Sequence, residues 1–283
     1  MDVSQKHFLS VKDCSVSGEI FELYKDENLD MLITTPKPKP EDLGRYYESD
    51  DYISHTDGKR SVFEKMYHFI KNIALNNKIK LINSLSENKG NLLDVGAGTG
   101  DFLLRAKQDN WNTTGAEPSE KARDIAAKKD ISLFENTAAL ENNSFDVITM
   151  WHVLEHVSDL DFQIKELKRL LKPNGHIIIA VPNFNSYDAK YYGAFWAAFD
   201  VPRHLWHFSK TAIKKLFENE NMHLEKILPM QFDAFYVSLL SEKYKTGKMN
   251  FAKAFMIGLR SNAKPKQNFE YSSHIYVIKN AQN

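Results

Sequence analysis

Residues 92–100 read Leu92-Leu93-Asp94-Val95-Gly96-Ala97-Gly98-Thr99-Gly100, and a helix-like run opens directly behind them with Asp101-Phe102-Leu103-Leu104. A short apolar strand that ends in three glycines and passes into a helix is the strand–loop–helix corner of an open α/β sheet. Glycines there let the backbone turn tightly and let a ligand approach the main chain. Strand-like runs at 91–95, 113–117, 131–134, 145–150 and 176–181 alternate with helical runs at 101–109, 119–129 and 156–171. That alternation predicts a parallel, doubly wound sheet with helices on both faces. In such sheets the ligand lies just beyond the carboxyl ends of the strands, so the loop also marks a binding site.

The glycine spacing separates two nucleotide cofactors. A dinucleotide fingerprint is G-x-G-x-x-G, with a pyrophosphate at the helix N-terminus. Here the third glycine comes one residue early, and Asp94 stands two positions before the first. A carboxylate repels a pyrophosphate and attracts an ammonium group. A second acid, Glu117, closes the next strand in Gly115-Ala116-Glu117-Pro118-Ser119. An acid there can accept hydrogen bonds from both ribose hydroxyls. A nucleoside that carries an amino acid is S-adenosylmethionine, with S-adenosylhomocysteine as its product. The competing readings are a glycine turn without a ligand and an NAD site; Asp94, Glu117 and the strand order together disfavour both.

On these residues the chain resembles the class I S-adenosylmethionine-dependent methyltransferases, in the broad group that includes the ubiquinone O-methyltransferases. The likeness covers about residues 60–230. It rests on the Asp94–Gly100 loop, on Glu117-Pro118-Ser119, on Ser144-Phe145-Asp146-Val147-Ile148 and on Leu170-Leu171-Lys172-Pro173-Asn174-Gly175. The resemblance implies a Rossmann-like, mostly parallel sheet of seven strands with an antiparallel last strand, so that 223–229 and 273–279 would form the terminal hairpin. It implies that Asp94, Gly96, Ala97, Gly98 and Gly100, with Phe102 behind them, hold the methionine end. Glu117 and Pro118 would meet the ribose, and Asn136 and Thr137 the adenine. Trp151 and His152 would line the pocket near the transferred methyl, and Tyr52 and His55 would sit in a lid over the cofactor. For that last segment, packing of aromatics on a sheet edge is the alternative.

Outside this core, residues 1–60 read as an N-terminal hairpin (Ile20–Tyr24 with Met31–Thr34) and lid arm, and residues 61–283 as the methyltransferase domain. A helix is expected at about 209–221. Between the last two strands lies an insertion, 232–268, rich in Phe and Leu, expected to be helical and to cover the acceptor site. Tyr187–Phe199 is also strongly aromatic; these residues either wall a pocket for a hydrophobic small-molecule acceptor or simply pack.

Methyl transfer from a sulfonium needs a nucleophile placed in line behind the methyl carbon, and a hydroxyl nucleophile needs a base within hydrogen-bond reach. Histidines suit that role. Asp200-Val201-Pro202-Arg203-His204-Leu205-Trp206-His207 is the densest cluster of reactive side chains, with His204 as first candidate base and Arg203 as the holder of an anionic group on the acceptor. Alternatively both residues brace the following helix. A binding protein without turnover is the competing function.

One further motif needs explaining. His152-Val153-Leu154-Glu155-His156 fits H-x-x-E-H, a zinc-peptidase pattern. Its geometry requires both histidines on one helical face, and a strand that ends at Trp151-His152 denies it that. His156 then becomes a secondary candidate base. In the ubiquinone group an acid often stands where His152 does and a metal role is proposed there; with histidine in its place, and with a single cysteine, Cys14, in the N-terminal arm, no metal is expected.

Composition narrows the rest. Thirty-seven basic side chains balance thirty-seven acidic ones, which gives no overall polycation for nucleic acid. One cysteine allows no internal disulfide, and Ile177–Val181 is far too short to span a membrane. The expectation is a cytoplasmic protein.

Overall fold

The chain opens with β1 (Gln5–Lys12), β2 (Ile20–Asp26) and β3 (Met31–Thr35), antiparallel neighbours in the computed structural model, which describes residues 5–47, 62–86, 88–264 and 268–281. Period-two patterning explains the pairing: Phe21 and Leu23 are buried, while Ile20 and Glu22 between and beside them are not. The β2–β3 hairpin matches the sequence reading, and β1 is an addition to it. Tyr52 and His55 lie outside the described residues.

The long helix α1 (Val62–Ser84) leads into β4 (Asn91–Val95), α2 (Asp101–Gln108), β5 (Asn112–Ala116), α3 (Glu120–Ala127), β6 (Phe145–Trp151), α4 (Leu160–Leu170) and β7 (Leu171–Pro182). After α5 (Tyr187–Tyr192) and the two-residue β8 (Trp206–His207) come α6 (Lys210–Asn219) and β9 (Met222–Pro229). A helical pair, α7 (Asp233–Thr246) and α8 (Phe251–Ala263), precedes β10 (Ser273–Asn280). Ser119, Asp159 and Ser209 each start the helix behind them by accepting a backbone N–H.

The main sheet has the order β5-β4-β6-β7-β10-β9. β5, β4, β6 and β7 are parallel, and β10 runs antiparallel to both of its neighbours. Helices cover both faces, so the central strands are apolar on both sides. Leu93, Ile148, Ile177 and Ile179 pack on α4 and α6. Leu92, Val147 and Ile178, one residue out of step, pack on α1 and α2 through Ile79, Ile82, Phe102 and Leu103. Asp94 shares the parity of Leu92, which turns it toward α1.

Among the described residues, six strands stand in this sheet where seven were expected. In the run 131–134 only Phe134 pairs, through a single parallel bridge to Ala116. Asn136 then turns the chain away by accepting the Ala138 N–H at 3.0 Å. Lys172–Gly175, a run of turn-forming residues, lies inside β7. The register with β6 jumps from Phe145↔Leu171 to Val147↔His176, so these four residues bulge out of the ladder.

β8 joins the N-terminal sheet, whose order is β1-β2-β3-β8. Leu32 pairs with His207 and Ile33 with Trp206. Thr34 adds a hydroxyl bond to the His204 carbonyl at 2.7 Å. The segment 200–207 is thus clamped by the first 35 residues of the chain. Between that sheet and α8, Tyr192, Trp196 and Phe199 are buried against Phe21, Leu23, Leu32 and Ile257, so these aromatics are core.

Candidate functional site

The three loop glycines follow β4 with φ of 73°, 53° and 75° at Gly96, Gly98 and Gly100, a region most side chains avoid. A Cβ on Gly96 would sit 2.4 Å from Val153 and one on Gly100 3.1 Å from Ala126, while the space above Gly98 is open to 4 Å. Gly98 is therefore where a ligand can meet the backbone. Gly96 and Ala97 are anchored by N–H bonds to the Ala116 carbonyl at 2.8 and 3.1 Å.

Asp94 is buried beside this loop. Its register partner on β6, Thr149, donates a hydroxyl bond to Oδ1 at 2.6 Å. Burial pushes the Asp94 pKa up to about 7, against the downward pull of Thr149 and of the Lys78 charge. A carboxylate stripped of water in this way is stabilised by an ammonium group. At the end of β5, Glu117 Oε2 accepts the Gly98 N–H and Oε1 the Ser119 N–H, both at 2.9 Å. Those bonds orient the carboxylate and leave each oxygen a lone pair for a ribose hydroxyl. Pro118 lies in the same turn, its carbonyl accepting from Arg123 at 2.7 Å. Loop, Asp94 and Glu117 fit the amino acid and ribose portions of S-adenosylmethionine.

The floor of the site comes from β6. Trp151 meets Phe102 edge to face at 5.7 Å, and its indole Nε1 is buried with no hydrogen-bond partner among the described residues. Lys78 of α1 lies over the Trp151 ring, 4.2 Å from its centroid. Burial lowers the Lys78 pKa to about 8, partly offset by Asp94 and Asp233. A lysine beside Asp94 gives the pocket a cation suited to the carboxylate of an amino acid end. Thr137 donates its hydroxyl to Glu166 at 2.7 Å, and Asn136 is engaged in its own turn.

His152 leaves β6 with φ 57°, and the chain then makes a single 3-10 turn at Leu154–His156 before α4 begins at Leu160. No α-helix carries the two histidines of the H-x-x-E-H pattern, and the peptidase reading falls. His152 Nε2 lies 2.9 Å from Asp233 Oδ2, and Nδ1 lies 3.3 Å from Glu155 Oε1. Burial alone would lower its pKa, but the two carboxylates carry it up to about 10. His152 is therefore an imidazolium at neutral pH.

Behind it, His156 and His204 meet edge to face with centroids 4.5 Å apart. His156 Nδ1 bonds the Arg203 carbonyl at 3.0 Å, and His204 Nδ1 bonds the Ala198 carbonyl at 2.9 Å. Carbonyls accept only, so each Nδ1 carries a hydrogen, and Nε2 has a lone pair in the neutral form of either ring. Burial, with His204 adding to it, holds the His156 pKa down to about 4. Asp200 Oδ2 stands 3.9 Å from His204 Nε2. Buried Glu155, whose Oε2 has no hydrogen-bond partner among the described residues, completes the group: one ligand atom each from Glu155, His156 and His204 lies within 4.8 Å of the others, a donor set that could hold a metal ion.

Arg203 corrects the sequence reading. Its Nε bonds Asp200 at 3.0 Å, Nη1 the Tyr46 carbonyl at 2.8 Å, and Nη2 both Asp13 at 2.9 Å and the Ser15 hydroxyl. With all three of its nitrogens bonded within the protein and its side chain buried, Arg203 fastens the N-terminal sheet rather than an acceptor.

A methyltransferase-domain profile matches residues 64–227, more than half of the chain. The chain belongs to the methyltransferase-domain family. It is a class I S-adenosylmethionine-dependent methyltransferase in fold and cofactor. The ubiquinone biosynthesis O-methyltransferase of Pelagibacter ubique is 31% identical over 156 residues, which cover 50% of this chain and 65% of that protein. Its namesake in Yersinia pestis is 30% identical over 132 residues, covering 43% and 54%. The chain thus spans about half to two thirds of the length of these relatives. Among solved structures, the [4+2]-cyclase SpnF aligns with a TM-score of 0.51 at 17% identity, over 81% of this chain and 86% of that one. Phosphoethanolamine N-methyltransferase 2 of Haemonchus contortus, solved with S-adenosylhomocysteine, aligns with a TM-score of 0.50 at 14% identity, over 73% and 53%. Those two likenesses show a shared fold.

The structure brings together Asp94, the glycine loop, Glu117, Phe102, Trp151 and His152 as one candidate group, and His156 and His204 as a second. Val153, packed on Gly96, joins the two halves. Sequence reasoning missed Lys78, Asp233 and the pairing role of Asp200. Each is a lone polar residue on a helix or turn, placed by tertiary packing, and no local pattern marks it.

Proposed function

We propose that this methyltransferase transfers the methyl group of S-adenosylmethionine to a hydroxyl of an aromatic, quinone-like or lipid-like small molecule. The observation that supports this reading best is the fixed orientation of His204, whose Nδ1 is held by the Ala198 carbonyl while its Nε2 stands 3.9 Å from the Asp200 carboxylate. The names of the Pelagibacter and Yersinia relatives add support for an oxygen acceptor. When bound, the cofactor supplies an electrophilic methyl on a sulfonium. Asp94 and Lys78 hold its amino acid end and Glu117 its ribose. His204 Nε2 accepts the hydroxyl proton, and the Asp200 carboxylate stabilises the imidazolium that forms. His156, neutral because its pKa is near 4, offers Nε2 as a hydrogen-bond acceptor that positions the hydroxyl. Burial of both rings keeps competing water out.

Transfer of radiolabel from methyl-labelled S-adenosylmethionine into a small-molecule extract tests the proposal. His204→Ala is expected to cut labelling by about a hundredfold or more, the usual contribution of a general base, while leaving S-adenosylhomocysteine affinity intact. A protein that binds the cofactor without turnover would label nothing. The convergence of Glu155, His156 and His204 favours a second reading, in which a divalent cation on these three activates the hydroxyl. Labelling that persists in chelator, with no metal in elemental analysis, supports the base; one tightly held ion per chain supports the cation.

A further inference from the structure

We propose that the outer face of the α7–α8 pair docks on an anionic lipid bilayer. On α8, Phe255, Met256 and Leu259 are 58%, 45% and 48% exposed, and Met249 in the turn before it is 42% exposed. At about 100° per residue these α8 positions share one arc. Ala254, Ile257, Gly258 and Ser261 form the opposite, buried side. The helix cannot roll to hide its apolar arc, because Gly258 is pressed on Phe235 so closely that a Cβ there would sit 2.6 Å from the ring.

Charge follows the same surface. Residues 243–269 contain seven Lys and Arg side chains and no Asp or Glu, in a chain whose 37 basic and 37 acidic groups cancel overall. Lys248, next to Met249, and Arg260, next to Leu259, are exposed; Lys245 and Lys264 are exposed too, with their ammonium groups over the Tyr191 and Tyr187 rings. Bulky apolar side chains rimmed by cations on a helix that lies flat suit the boundary between headgroups and acyl chains. Each cation near an anionic surface raises partition by about fivefold. A single-stranded nucleic acid would need stacking platforms across the face, and Met256 and Leu259 provide none. Docking is peripheral, since no described helix is long and apolar enough to cross a membrane. The same helical pair reaches the methyl-transfer site, because Asp233 opens α7 and pairs with His152 at 2.9 Å. The docking proposal does not rest on the identity of the acceptor.

Co-sedimentation of the full chain with vesicles tests it, using phosphatidylcholine alone or mixed with phosphatidylglycerol. The chain is expected to pellet with the mixed vesicles and to be released by salt. Phe255→Ser with Leu259→Ser, and separately Lys248→Glu with Arg260→Glu, should each reduce the bound fraction about tenfold or more. Both variants should stay folded, with the parent's helical circular dichroism and S-adenosylhomocysteine affinity, although Phe255→Ser gives up a ring stack on Phe235 at 5.4 Å; this separates lost docking from lost folding or a lost cofactor site. The proposal is overturned by a parent that stays in the supernatant with both vesicle types, or by variants that pellet as the parent does. A dimer that the Phe255→Ser, Leu259→Ser variant splits, or capture of single-stranded RNA, overturns it equally when no vesicle binding accompanies it.

Discussion

Asp94 is a buried acid whose charged form gains its full complement of partners only when a cation arrives. With its pKa near 7, the carboxyl is protonated below neutrality and ionised above it. The ammonium of the cofactor selects the ionised form, so binding releases a proton at acid pH. Affinity for S-adenosylmethionine should therefore fall about tenfold for each pH unit below 7 and level off above it. Equilibrium dialysis between pH 5.5 and 8 measures this; a flat profile would contradict the environment assigned to Asp94. This residue was legible in the sequence, as were the glycines and Glu117, because a ligand loop imposes backbone conformation and charge at fixed spacing. Lys78 and Asp233 were not. They enter the pocket from helices about sixteen residues before and well over a hundred residues after the loop, and only the packing of α1 and α7 on the sheet brings them in.

At the scale of elements, the alternating strands and helices of the main sheet follow from apolar runs buried on both faces. The exceptions have local causes. The run 131–134 is cut to one bridge by the turn at Asn136, and β1 hides its pattern behind an exposed polar side. β8 is two residues long and exists only because β3 offers it an edge. Arg203 ties these pieces together, with Asp13 and Asp200 on either side of its guanidinium. The two acids hold its pKa above the usual arginine value, against the effect of burial, and Arg203 in turn depresses Asp13. Removing one partner of a buried ion pair leaves an uncompensated charge, so Arg203→Leu should cost about 3–5 kcal/mol. Chemical denaturation measures the loss, and hydrogen exchange should show it concentrated in β1–β3. A variant as stable as the parent would show that the N-terminal sheet is held by its apolar contacts alone.

Across the whole molecule, two substructures meet at one end of the parallel strands. The main sheet supplies the glycine loop, Asp94 and Trp151 of the candidate site. The N-terminal sheet clamps the segment that carries His204, so a region read from sequence as an arm contributes to the geometry of the acceptor side. Such long-range pairing leaves no trace in local periodicity, which is why it had to be seen in the structure. SpnF, named as a cyclase, shares this fold, so architecture alone does not fix the reaction. The claim on which the rest depends is that Asp94 and the glycine loop receive the amino acid end of the cofactor. Isothermal titration of S-adenosylhomocysteine into the full chain and into Asp94→Ala tests it most directly. The account predicts one site per chain in the parent and no measurable binding in the variant; equal affinity in the two would contradict it.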